Sequence, residues 1–200
     1  MLNFDFARPA LRAPLLERGP VTLRAADLGD YASWLMLRRE SRRHLTRWEP
    51  DWREEDVTLD AFRLRLRAYE RQHRSRVGLS LYVCLKGSGD LIGGVTLSDI
   101  RHHSSWSATI GYWIGERFLH RGYGLAAVEA VLDHAFGELR LNRVEAACQP
   151  GNVASRALLA KAGFREEGFA RDYLFINGAW RDHLLFARTA RDYCGAPSQP

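Results

Sequence analysis

Lysine is almost missing from this chain: Lys86 and Lys161 are the only two, so arginine carries nearly all the positive charge. Cysteine is scarce too. Cys84, Cys148 and Cys194 are scattered, with no metal-ligand spacing and no pattern of pairs, which argues against a zinc motif and against a disulfide-stapled secreted domain. Cys84 and Cys148 each lie in an apolar, β-prone run and read as small buried hydrophobes. No apolar run is long enough to cross a bilayer, so no membrane partner is expected. The start, Met1-Leu2-Asn3-Phe4-Asp5-Phe6, has an early acid and no apolar stretch. It does not read as a secretory signal, and the expected location is cytoplasmic. No repeat or low-complexity segment stands out.

What remains is an ordinary globular composition. Two hundred residues, 46% of them hydrophobic, suit one domain with a full core. The net charge of +5 suits a polyanionic ligand or a partner near RNA, and equally an arginine-rich solvated surface. Arg63, Arg65, Arg67, Arg71, Arg74 and Arg76 form a dense group. They are interleaved with Leu59, Phe62, Leu66 and Tyr69 at helical spacing. This reads as an amphipathic helix with a basic outer face. Weak ribosome or RNA association through that helix is the partner reading it allows.

Along the chain, residues 1–19, with Pro9 and Pro14, read as a loose lead-in, residues 20–192 as one domain, and residues 193–200 as a polar tail. Val21-Thr22-Leu23-Arg24 alternates like a strand. Asp27 is placed to cap a helix through Tyr31, Trp34, Leu35 and Leu37, which the segment from His44 to Pro50 breaks. The arginine-rich helix is expected from about Asp56 to His73. Leu79 to Leu85 and Leu91 to Ser98 flank a Gly87-Ser88-Gly89-Asp90 turn, and Trp106 to Ile114 is a third strand. Gly122 to Phe136 is helical, Arg143 to Cys148 a short strand, and Asn152 to Ala162 a helix closed by Gly163. The last two strands, Phe164 to Ile176 and Trp180 to Arg188, are joined by Asn177-Gly178, a strong hairpin signal. The order is a mixed α/β or α+β sheet domain.

The chemistry lies at Tyr112-Trp113-Ile114-Gly115 followed by Arg121-Gly122-Tyr123-Gly124-Leu125-Ala126. A strand ends and a glycine-containing loop opens a helix. Such a helix start offers unpaired backbone N–H groups and the positive end of a dipole. Gly122 and Gly124 let a phosphate approach the backbone, and Arg121 adds charge. The pattern lacks the third glycine of a dinucleotide fingerprint and the Gly-Lys-Ser/Thr of a P-loop. On its own it is also compatible with a tight turn that merely closes a helix onto a sheet.

This stretch resembles the Gln/Arg-x-x-Gly-x-Gly/Ala signature of the GCN5-related N-acetyltransferases. A second motif of that family is matched by Asn152, Ser155 and Lys161-Ala162-Gly163-Phe164. Within the family the chain looks like the ribosomal-protein-alanine N-acetyltransferases of RimJ and RimL type, on Trp48-Glu49-Pro50 and on Glu166 to Tyr173 followed by Asn177 to His183. The resemblance implies a central, mixed but mostly antiparallel sheet, splayed at its fourth strand and flanked by helices. It implies acetyl-coenzyme A as cosubstrate and no metal. It places the pyrophosphate on the loop from Arg121 to Ala126, the pantetheine arm on Tyr112, Trp113 and Ile114, and an amide anchor at Asn152, which could equally just cap its helix.

The resemblance also implies direct attack of a neutral amine on the thioester in a ternary complex. A protein α-amine, with a pKa of about 7.7–8.0, needs less help than a lysine amine near 10.4. Hence the expected acceptor is a protein N-terminus, such as that of a ribosomal protein. The oxyanion donor is expected from backbone N–H near Trp113 or Ile114. Many family members protonate the thiolate with a tyrosine, but that position is Leu159 here. Ser155 is the matching candidate, with a first-turn serine bonded to backbone as its alternative. The RimL-type glutamate base falls at Leu174 and is not carried over. Glu49 is the candidate for amine recognition or a water-mediated base, with an exposed loop carboxylate as the plain alternative. Trp48, Tyr173 and Trp180 are groove or core aromatics, and Asp172 could hold a positive N-terminus. His102 and His103 read as solvated loop residues. Rival readings are a small-amine acetyltransferase (polyamine, amino acid or aminoglycoside) and a non-catalytic acyl-coenzyme A or RNA binding module. The chain is expected to be a monomer or homodimer.

Overall fold

Strand-forming runs in this chain are apolar on both faces wherever helices cover both sides of the sheet. The computed structural model describes residues 15–193. It contains one eight-stranded sheet, in the order β1-β2-β3-β4-β5-β6-β8-β7. The strands are β1 (Leu16–Arg18), β2 (Val21–Arg24), β3 (Leu79–Leu85), β4 (Leu91–Arg101), β5 (Ser107–Ile114), β6 (Arg143–Cys148), β7 (Arg165–Ile176) and β8 (Ala179–Thr189). All neighbours are antiparallel except β5 and β6. The helices are α1 (Tyr31–Glu40), α2 (Arg42–Leu45), α3 (Leu59–Arg74), α4 (Tyr123–Gly137) and α5 (Val153–Lys161).

The expected mixed, mostly antiparallel sheet with flanking helices is present. Three details differ from the sequence reading. The sheet begins at Leu16, inside the stretch read as lead-in; a three-residue strand is too short to announce itself by alternation. Asp27 caps a single 3-10 turn, Leu28–Asp30, that feeds α1, and the Asp30 carboxylate reaches back to the Asp27 N–H at 2.9 Å. The arginine-rich helix starts at Leu59 with Thr58 as its cap, after a separate 3-10 turn at Glu54–Val57. Cys194 and the prolines of the lead-in lie outside the described residues.

Two cores result. On one face, Leu81, Val83, Ile92, Val95 and Leu97 of β3 and β4 pack with Val128, Val131 and Leu132 of α4. On the other, Tyr82 and Cys84 of β3 meet Trp34, Leu37 and Phe62 from α1 and α3. Phe62 is fully buried, its ring 4.9 Å from Trp34 and 5.5 Å from Tyr31. Beside this cluster the buried Arg24 guanidinium bonds Asp30 through both terminal nitrogens, at 2.8 and 2.6 Å. That pairing satisfies two charges that burial would otherwise make costly.

The functional feature of the sheet is its opening. β5 and β6 pair over three registers, from Ser107↔Arg143 to Thr109↔Glu145, and then part. From Ile110 to Ile114, β5 keeps its ladder to β4 on one edge, while its other edge has no strand partner. β6 meanwhile stays paired to β8 as far as Cys148↔Leu184. This is the splay expected at the fourth strand of the sequence count, which is β5 once the short β1 is included.

Candidate active site

The splay opens a cleft of about 280 Å³. Its walls include Ile110–Ile114 of β5, Ala146–Cys148 of β6, and Asn152, Ser155 and Leu158 around α5. Trp48, Glu49, Leu174 and His183 close the far side. Of the residues singled out in the sequence, Tyr112, Trp113, Ile114, Asn152, Ser155, Trp48 and Glu49 all line it.

The surface at one end of the cleft is built from backbone. Arg121 to Ala126 do not line the cleft; they adjoin it at the start of α4, where Gly124 packs against Ile114 and Leu158. Gly122 caps α4 with φ +80°, a left-handed conformation that strains any side-chain-bearing residue. The first bond of the helix runs from Ala126 N–H to the Gly122 carbonyl at 3.0 Å. The N–H groups of Tyr123, Gly124 and Leu125 therefore point out of the helix start without helical acceptors. Gly124 has a different reason to be small: a Cβ there would lie 3.0 Å from Leu158 Cδ1 and 3.4 Å from Ile114 Cγ1. It lets α4 close onto α5 and β5, so the two glycines do separate jobs. Arg121 is exposed at the loop. Together these groups fit a pyrophosphate, and the unpaired edge of β5 fits the amide groups of a pantetheine arm.

The reacting end has two hydroxyls in contact. Asn152 caps α5, its Oδ1 accepting from Ser155 N–H at 3.1 Å. This fixes the first turn and presents Ser155 Oγ to Tyr112 Oη at 2.9 Å. Burial pushes the Tyr112 hydroxyl up to about 12, against the opposing pull of its bond to Ser155. It is therefore protonated throughout the neutral range and can donate. Leu159, at the family's usual tyrosine position, is buried. A tyrosine hydroxyl nevertheless reaches the region near Ser155, from β5 and not from α5. The sequence reading valued Tyr112 for its strand position and missed its hydroxyl. Cys148 also lines this end, its thiol pushed up by burial.

The other wall is built from side chains. Glu49 accepts both terminal nitrogens of Arg38, one at 3.2 Å, and Trp52 Nε1 donates to it at 3.3 Å. The Arg38 guanidinium lies 5.2 Å from the Trp52 ring and 5.1 Å from the Trp113 ring. Glu49 is thus a held carboxylate, not a loose loop acid. The loop that carries it is fastened by the β7–β8 turn. Asn177 donates to the Thr46 carbonyl at 2.6 Å and to the Glu49 carbonyl at 3.5 Å, and accepts from Asp51 N–H at 2.6 Å.

Two candidate substrate residues do not line the cleft. Asp172 sits at an irregularity between Ala170 and Leu174, with φ +49°, and its N–H is taken by Asp182 at 2.9 Å. Tyr173 lies outside the lining and its ring is tilted against that of His183, ring centroids 5.4 Å apart. The same irregularity directs Leu174 into the cleft wall. Trp180 is exposed and meets Phe175 edge-on. His102 and His103 are exposed in their loop, as expected. His183 was not singled out, although it stands in the quoted hairpin motif; only the tertiary fold shows that it borders the cleft.

Comparison with known proteins decides what this cleft belongs to. The Acetyltransferase (GNAT) domain model matches residues 21–165. The chain belongs to the GNAT acetyltransferase family. It is 31% identical to the probable N-acetyltransferase YjcK of Bacillus subtilis, over 86% of this chain and 96% of that protein. It is 32% identical to the [ribosomal protein uS5]-alanine N-acetyltransferase of Escherichia coli, over 77% of this chain and 79% of that protein. The structure superposes on Mycobacterium smegmatis RimJ in complex with CoA-disulfide with a TM-score of 0.85. That match has 34% identity and covers 92% of this chain and 89% of that one. The protein is an acetyl-coenzyme A-dependent N-acetyltransferase of the GNAT/RimJ type, and acetyl-coenzyme A is its cosubstrate. Among the described residues, no helix is long and apolar enough to cross a membrane, and no cluster of His, Cys, Asp and Glu could hold a metal ion.

Proposed function

We propose that the acceptor is the N-terminal α-amine of a protein, and of a ribosomal protein, the class on which the Escherichia coli relative acts by its name. The observation that carries this reading is the scarcity of carboxylate in the cleft. Glu49 is the one acidic side chain among its lining residues, and both its oxygens are engaged by Arg38. A small polycation is held by several free carboxylates; a single amine on an extended chain needs fewer. The open, aromatic rim, with Trp48 beside the cleft and Phe175 and Trp180 exposed nearby, suits a peptide.

The catalytic roles follow. The acetyl carbonyl lies along the free edge of β5, where a backbone N–H near Trp113 or Ile114 stabilises the oxyanion. The amine nitrogen attacks the carbonyl carbon directly. As the carbon–sulfur bond breaks, the Ser155–Tyr112 hydroxyl pair delivers a proton to sulfur. Glu49, with Arg38, shapes the amine end by charge.

The test is acetyl transfer from labelled acetyl-coenzyme A to a panel of acceptors. It contains Ala- and Ser-initiated peptides, lysine peptides with blocked N-termini, spermidine and free amino acids. Free N-terminal peptides should give the highest kcat/KM. A preference for spermidine or a free amino acid would overturn the acceptor while leaving the family intact.

A further inference from the structure

We propose that His183 Nε2 is the general base that takes the first proton from the acceptor ammonium. The inference deepens the reading above and rests on it for the choice of acceptor. Three observations carry it. His183 lies on β8 immediately before Leu184, where the pairing of β8 with β6 ends, and it lines the cleft that the parting of β5 and β6 opens. The residue is 3% exposed, so it is a positioned group and not a surface histidine. Its Nδ1 lies 2.9 Å from the Arg181 carbonyl oxygen.

That last contact fixes the chemistry. A carbonyl oxygen can only accept, so Nδ1 carries the hydrogen and Nε2 carries the lone pair. No described residue hydrogen-bonds Nε2. The Tyr173 ring, 5.4 Å away, packs against the imidazole and limits its rotation. A ring oriented through one nitrogen with the other available is the arrangement a general base requires.

The other titratable groups on the lining are less suited. Glu49 is paired with Arg38. The Tyr112 hydroxyl is pushed up and bonded to Ser155, and the Cys148 thiol is pushed up by burial. His44, on α2, is half-buried and has no tautomer-fixing partner among the described residues.

The protons balance as follows. His183 Nε2 removes one proton from the ammonium and becomes imidazolium, and the nitrogen lone pair attacks the thioester carbon. The carbon–sulfur bond breaks, and its electron pair leaves on sulfur. Sulfur takes a proton from the Ser155–Tyr112 pair, which regains one from the attacking nitrogen. The amide keeps the third hydrogen, and imidazolium releases the first to solvent.

The test uses the full chain and whichever amine of the acceptor panel turns over fastest. His183→Asn keeps an N–H that can bond the Arg181 carbonyl and removes the lone pair of Nε2. It should lower kcat/KM for the amine by about 10²–10⁴-fold and abolish the acidic limb of the pH–rate profile, with acetyl-coenzyme A binding unchanged. His44→Asn should retain the limb. In the unmodified protein, the ¹⁵N shifts of His183 should report the Nδ1–H tautomer, and its titration should coincide with the kinetic limb. The proposal is overturned if His183→Asn binds acetyl-coenzyme A and keeps its activity, if the limb follows His44, or if the His183 titration and the limb do not coincide. Should His183→Asn not fold, the ¹⁵N titration decides alone. Transfer to a small amine with full dependence on His183 would overturn the acceptor reading and leave the base in place.

Discussion

The surface that we assign to the coenzyme rests on backbone: the unpaired edge of β5, the left-handed Gly122 and the open N–H groups at the start of α4. The wall that we assign to the acceptor rests on side chains. Arg38, Glu49 and Trp52 lock against one another, and Asn177 reaches across 131 residues to hold their loop. Backbone recognition depends on strand pairing and helix caps, which a single surface substitution barely changes. Side-chain recognition depends on particular pairs and can be retuned one residue at a time. A cosubstrate common to a family suits the first construction, and an acceptor that differs between members suits the second.

Among substitutions that test this comparison, the largest effect should come at Ser155 and Tyr112, where side chains and not backbone face the coenzyme's reacting end. Ser155→Ala and Tyr112→Phe should each lower kcat by about 10²–10³-fold, with the KM for acetyl-coenzyme A little changed. The double variant should be scarcely worse than either, because two hydroxyls sharing one proton path act as a unit. Additive losses in a steady-state double-mutant cycle would mean that the 2.9 Å contact between them does not serve transfer.

A middle-sized effect is expected at the acceptor wall. Glu49→Gln keeps an oxygen for Arg38 and Trp52 but removes the negative charge. Losing one charge-assisted interaction, worth roughly 1.5–3 kcal/mol, should raise the acceptor KM at least tenfold and spare the acetyl-coenzyme A KM. An equal rise in both constants would show that the two walls are not separable. Arg38 should then be left with an unmatched, half-buried charge, and thermal denaturation would register the loss as a lower Tm.

The two walls also differ in how far the sequence exposes them. The positions of Gly122, Asn152 and Ser155 are legible because each lies within a few residues of its own helix start, where local patterning and the cap coincide, whereas the packing of Gly124 against Leu158 and Ile114 shows only in the fold. The splay itself was expected only through family resemblance, since no local pattern marks where β5 and β6 part. The pairing of Glu49 with Arg38 was not legible, because an acid in a loop looks the same whether free or held. Nor was the role of His183, which depends on where β6 stops pairing with β8, or that of Tyr112, whose hydroxyl meets α5 only after folding. Asp172 looked suited to an ammonium by charge alone, but a strand irregularity, invisible to period-two alternation, turns Leu174 and not Asp172 into the cleft.

The smallest effect sharpens the comparison most, because it isolates one contact between distant parts of the acceptor wall. Asn177 has φ +51° in the turn before Gly178, and its side chain bonds the loop at Thr46, Glu49 and Asp51. Asn177→Gly keeps a residue that accepts positive φ, so the hairpin should persist. It removes only the side-chain bonds. Exposed hydrogen bonds contribute about 0.5–1.5 kcal/mol each, and part of that is recovered from water, so the acceptor KM should rise by only a few-fold. Amide exchange should speed up between residues 46 and 52, while exchange in β7 and β8 and the KM for acetyl-coenzyme A stay as they were. Faster exchange along the whole hairpin would instead mean that Asn177 serves its own turn first and the acceptor loop second.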